Sequence, residues 1–117
     1  MAETIATTTD LPPIIREHLG AIVALARAYE VERLEVFGSV MTDRFDPARS
    51  DIDFLATYPE GYDFGPFLAR FQHLERDLQT AVGRDVDLVM NSQSLRDRFR
   101  RSIAATRQVV YAVEQDV

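Results

Sequence analysis

The chain has 117 residues, 46% of them apolar and 27% charged, with a formal net charge of −6; that length allows one domain with a core of its own. It has no cysteine, which excludes disulfides, thiol nucleophiles and cysteine-bound zinc, and fits a reducing cytoplasm. All 13 basic residues are arginines, so a lysine-bearing phosphate loop and Schiff-base chemistry are both closed to it, while the acidic balance argues against direct nucleic-acid binding.

No apolar run approaches the roughly 18 residues of a membrane span. Residues 1–11 are polar and acidic, unlike a secretory signal, and read as a flexible tail before a domain at 12–117. A helix opens at Pro12-Pro13, where proline's missing donor costs nothing. Ile15, Leu19, Ile22, Ala26 and Tyr29 then recur at helical steps along one face. A strand follows from Val31 to Phe37 and stops at Gly38-Ser39. Residues 40–49 contain Pro47 and suggest a short helical turn and a loop.

Ser50 to Thr57 is a second strand, headed by Asp51 and Asp53. A turn cluster at Tyr58–Gly65 leads to a long helix carrying Phe67, Phe71, Leu74, Leu78 and Ala81 on its apolar face, closed by Gly83. Asp85 to Met90 reads as a third strand and echoes the Asp51–Leu55 pattern. Leu95 to Arg107 reads as a basic helix, and Val109 to Val113 as a last strand. That alternation predicts an α/β layer structure. His18 and His73 have no partner at ligand spacing and are read as structural or surface residues.

The informative stretch is Gly38-Ser39, ten intervening residues, then Ser50-Asp51-Ile52-Asp53. Side chains at i and i+2 on a strand share a face, so Asp51 and Asp53 stand side by side. Adjacent carboxylates repel unless a cation lies between them. Two hard oxygen ligands suit magnesium, which completes its shell with water and substrate phosphates. Glycine lets a phosphate approach the backbone, free amides at a helix start point at it, and Ser39 adds a hydroxyl donor.

Gly38-Ser39 … Ser50-Asp51-Ile52-Asp53-Phe54, with the lone acid of Val86-Asp87-Leu88-Val89, resembles the minimal nucleotidyltransferases of the polymerase-beta superfamily. The resemblance implies a small mixed sheet flanked by helices, with Asp51 and Asp53 ligating two magnesium ions. Asp87 would complete one metal site and help activate an acceptor hydroxyl. Gly38, Ser39 and Ser50 would contact the nucleotide, ATP. Asp85 competes with Asp87 because it lies on the same strand face; Val86 and Leu88 flank Asp87 as Ile52 and Phe54 flank Asp53, which favours Asp87. Several members carry an arginine just after the Gly-Ser pair; here that contact is absent or falls to Arg44 or Arg49.

Members of this family are often paired with a helical HEPN toxin, which they neutralise by transferring AMP to a tyrosine. That acceptor is favoured here because the nucleotide site consumes almost the whole chain and leaves little for a small-molecule pocket. A transferase acting on an aminoglycoside and a contact-only antitoxin with vestigial acids are the alternatives. Arg96, Arg98, Arg100, Arg101 and Arg107 stand against the single acid Asp97, as a solvated helix face or a docking surface for an acidic partner.

Overall fold

The computed structural model describes residues 2–92 and 95–114. Five strands, β1 (Ala2–Ile5), β2 (Arg33–Phe37), β3 (Ile52–Thr57), β4 (Val86–Met90) and β5 (Gln108–Glu114), form one mixed sheet in the order β1-β5-β2-β3-β4. Only β3 and β4 run parallel; a parallel pair needs a crossover, and the helix α3 (Ala69–Val82) supplies it. The remaining helices are α1 (Pro13–Glu17), α2 (Leu19–Ala28) and α4 (Asp97–Ile103).

Alternation along the strands divides the core in two. Leu34, Val36, Ile52, Phe54, Val86 and Leu88 pack with Ile15, Ile22 and Ala26 of α1–α2 and with Leu74, Leu78 and Val82 of α3. Phe37 and Leu55 point to the other face, where Ile103, Phe99 and Leu95 cover them. Both faces of β3 are therefore covered, which explains its continuous buried run Phe54-Leu55-Ala56. Full burial of a side chain such as Ile52 or Leu78 stabilises by about 1.5–3 kcal/mol. At the β4 edge, Glu75 of α3 accepts the Leu88 amide at 2.9 Å, so one outward donor of that strand is already bonded.

The structure departs from the sequence reading in four places. Residues 2–5, read as part of a flexible tail, form β1 against β5. All four side chains of β1 are exposed, so no burial periodicity announces it; main-chain pairing and the Glu3 carboxylate hold it. Arg27 donates to Glu3 from both Nε and Nη2, the latter at 2.7 Å, and Tyr111 donates to it at 2.7 Å. The first helix is broken at His18, whose Nδ1 bonds the Ile14 carbonyl at 2.8 Å.

Phe67 belongs to a 3-10 turn (Pro66–Leu68) ahead of α3, and is 94% exposed rather than core. Gly65 and Pro66 turn the chain there, and Tyr58, ringed by Tyr62, Phe64 and Phe71 with centroids 4.6 to 6.5 Å away, already fills the space over the end of α3. Finally, α4 ends at Ile103, and Arg107 lies beyond it. The strand expected at Val109–Val113 is β5, the last in the chain, and in the sheet it lies between β1 and β2.

Candidate active site

The acids gather at one end of the sheet face that α4 covers. Ile52 is fully buried on the opposite face, so the pleat turns Asp51 and Asp53 toward the α4 side. Asp51 is exposed just ahead of β3, and Asp53 is half-buried within it. The parallel register sets Asp53 beside Asp87 of β4, and the antiparallel register sets it beside Phe37 of β2. Asp85 precedes β4, and its carbonyl accepts the Ile52 amide at 3.1 Å, so its backbone ties the two strand heads together. Burial first, then the charge of Asp87, then that of Asp51, pushes the Asp53 carboxyl up to about 6.

Gly38 closes the site from the β2 side. It begins a 3-10 turn (Gly38–Met41) with φ +81, and a Cβ placed there would lie 2.5 Å from Asp53 Oδ2. Glycine is required twice over, by the left-handed backbone and by the carboxylate against it. The Gly38 amide donates to Thr106 Oγ1 at 3.0 Å, so the free amides expected from the sequence do not include this one. Three residues before Gly38, on β2, Glu35 is 2% exposed and receives Arg107 at 2.9 and 2.8 Å. Arg107 and Thr106 together fasten the chain after α4 onto β2 beside the acids. Sequence reasoning missed both residues; the one available signal was a glutamate inside the apolar strand Arg33–Phe37.

Residues 15–110 match the family model described as a nucleotidyltransferase domain. The chain belongs to that family. Comparison with the curated proteins gives no match. Among solved structures, the chain is similar to one from the Shewanella oneidensis complex of tri-AMPylated HEPN toxin with MNT antitoxin, with TM-score 0.59 and 19% identity over 84% of this chain and 72% of that one. A toxin–antitoxin structure with AMP-PNP gives TM-score 0.63 and 22% identity over 84% of this chain and 76% of that one. The structure of a putative minimal nucleotidyltransferase gives TM-score 0.64 and 26% identity over 80% of this chain and 90% of that one. The mixed sheet with flanking helices is thus the polymerase-beta-like nucleotidyltransferase fold.

Within this nucleotidyltransferase domain the other candidates fall as follows. Ser50 Oγ accepts the Asp46 amide at 3.0 Å and the Ser50 amide donates back to the Asp46 carbonyl at 2.8 Å, closing the loop before Asp51. The Ser39 carbonyl accepts the Thr42 hydroxyl at 2.8 Å, steadying the Gly-Ser turn. Arg44 and Arg49 are both exposed, and Arg49 shares a groove with Ser50 and Asp51.

No three His, Cys, Asp or Glu side chains among the described residues are gathered closely enough to hold a metal ion as they stand. The donor set still suits magnesium: three carboxylates at one sheet end, with Asp53 resisting ionisation because of its burial first and then the charges of Asp87 and Asp51. Arg100 of α4 donates to the Leu95 and Ser92 carbonyls, and Arg107, beyond the helix, is spent on Glu35. Arg96, Arg98 and Arg101 remain exposed.

Proposed function

We propose that the domain transfers a nucleoside monophosphate, AMP from ATP, to a hydroxyl, and that the acceptor is a tyrosine of a partner HEPN-type toxin. The observation that carries the transfer is Asp53: half-buried, beside Asp87 in register, with Gly38 pressed against its carboxylate. Magnesium bound by Asp51, Asp53 and Asp87 would stabilise the entering and leaving oxygens of an in-line displacement. Ser39 offers its hydroxyl to the phosphates, and the absence of a side chain at Gly38 keeps the approach open. Asp87, exposed at the rim, can accept the proton of an acceptor hydroxyl. Ser50 acts by holding Asp51 at the strand head.

The choice of a protein acceptor is supported by the small size of the domain and by the neighbouring folds, one of which comes from a complex with an AMPylated HEPN toxin. Arg96, Arg98 and Arg101 offer an exposed cationic face for such a partner, where charge would chiefly speed and orient encounter.

Calorimetric titration of ATP tests the nucleotide reading. Wild type should bind ATP with magnesium and lose most of that affinity in EDTA, and Asp53→Asn should show little dependence on the metal. Equal ATP binding with and without magnesium would leave the acids without their assigned work and favour a contact-only antitoxin.

A further inference from the structure

Phe67 and Leu68 are adjacent apolar side chains that the fold leaves in water, 94% and 47% exposed. Both are also left-handed, with φ +55 and +57, a conformation costly to residues with bulky side chains. Burial within the chain repays neither cost. The turn is nevertheless held in this shape. The Phe67 carbonyl accepts Gln72 Nε2 at 3.2 Å, the Arg70 amide donates to the Phe64 carbonyl at 2.9 Å, and the Gly65 amide donates to Asp63 Oδ1 at 2.9 Å. In the same loop, Tyr58, Tyr62 and Phe64 stack on one another with centroids 4.6 to 4.9 Å apart. An aromatic and an aliphatic side chain fixed in water before any contact forms lose little freedom when one does.

The charges around them indicate what covers them. The segment Tyr58–Leu68 carries Glu60 and Asp63 and no basic residue. Glu32 and Glu60 line one groove with Tyr58 and Arg100, and Glu30 faces Arg70 at 3.9 Å. Both cations are already engaged, Arg70 by the Tyr62 hydroxyl and the Ala28 carbonyl, Arg100 by the Leu95 and Ser92 carbonyls. Four carboxylates against two occupied guanidiniums make an acidic rim. A second copy of the chain would set those carboxylates against their own images, where like charges oppose association. The acids Asp51, Asp53 and Asp87 lie at the other end of the sheet, about 20 Å away along the six-residue strand β3. A molecule seated on Phe67 therefore leaves the acid site open.

We propose that Phe67 and Leu68 anchor a partner protein whose contact surface is an apolar pocket rimmed by lysines or arginines. The proposal rests on the reading of a protein acceptor given above, and not on the chemistry of transfer.

The test is calorimetric titration of the purified HEPN-type partner into wild type, Phe67→Asn and Glu60→Arg. EDTA is present so that no transfer intervenes, and melting curves check folding. Phe67→Asn should weaken association by roughly tenfold or more, the loss expected of a central aromatic anchor. Glu60→Arg should weaken it about threefold at low salt and less at high salt. Both variants should bind ATP with magnesium within about twofold of wild type, because the acid site is remote from the turn. Glu60 is exposed, so its variant carries the test if Phe67→Asn fails to fold. Folded variants that keep the wild-type affinity for the partner overturn the anchor, while the transferase reading stands. A wild type that binds ATP but not this partner overturns the anchor and the partner assignment together. A wild type that sediments as a dimer, which Phe67→Asn dissociates, overturns the proposal in favour of a second copy.

Discussion

Asp53 ties the chemistry proposed for this domain to its stability. Its carboxyl is displaced from 3.8 to about 6, so the folded chain holds that proton more tightly than the unfolded one. Stability of the metal-free protein therefore falls as pH rises from about 4 to 6, and the loss persists above that window. A displacement of that size corresponds to roughly 3 kcal/mol, and screening at a half-buried group reduces it to about 1 kcal/mol. Asp53→Asn should lose transfer activity and, in EDTA, melt at or above wild type at pH 7.5, the advantage vanishing near pH 3.5. Thermal melts across that range check it; a variant less stable than wild type at pH 7.5 contradicts it.

Gly38 is the complementary case. A side chain there would meet both the left-handed backbone and Asp53 Oδ2, and the backbone conformation alone costs about 1–2 kcal/mol. Gly38→Val should thus weaken ATP binding more than Ser39→Ala, which removes one hydroxyl contact worth about 0.5–1.5 kcal/mol, or up to 3 against a charged phosphate. Calorimetry with magnesium present decides it, and equal affinity in Gly38→Val and wild type would count against the approach described. Gly38, Ser39, Asp51 and Asp53 were legible in the sequence because their spacing along two strand ends is local. The bond from Gly38 to Thr106 joins residues 68 apart, and no local pattern carries it.

At the scale of elements, periodicity found the amphipathic helices and inner strands and failed where burial does not alternate. β1 has no buried side chain. Phe67 keeps helical spacing yet lies outside α3 with φ +55. A shift in pairing opposite Leu34 and Glu35 sets two successive β5 residues, Val110 and Tyr111, in the core. Phe67 gains little from burial and adopts a conformation costly to a bulky side chain. Phe67→Asn should therefore stabilise the isolated domain by roughly 0.5–1 kcal/mol in urea unfolding; a loss of stability would reveal a contact for that ring which the fold described here lacks.

Glu35 and Arg107 link β2 to the segment after α4. Removing one partner of such a buried pair strands the other, at about 3–5 kcal/mol when both are buried. Arg107 is one-third exposed, so Arg107→Ala should cost about 2–3 kcal/mol. Urea unfolding measures it, and a change below 1 kcal/mol would show that the pair does not anchor this segment.

For the molecule as a whole, the sheet extends through both ends of the described chain, and no helix among the described residues is long and apolar enough to cross a membrane. Fold and family were legible from the sequence because the signature bridges two strands of the sheet that positions it. The proposed acceptor would belong to a second molecule, and no local pattern of this chain names it.

The most direct measurement is mass spectrometry of the HEPN-type partner co-expressed with wild type and with Asp53→Asn. Wild type should add one or more AMP units to a tyrosine of the partner, and Asp53→Asn none. A partner neutralised equally by both proteins, with no added mass in either case, would contradict nucleotidyl transfer and leave neutralisation by contact.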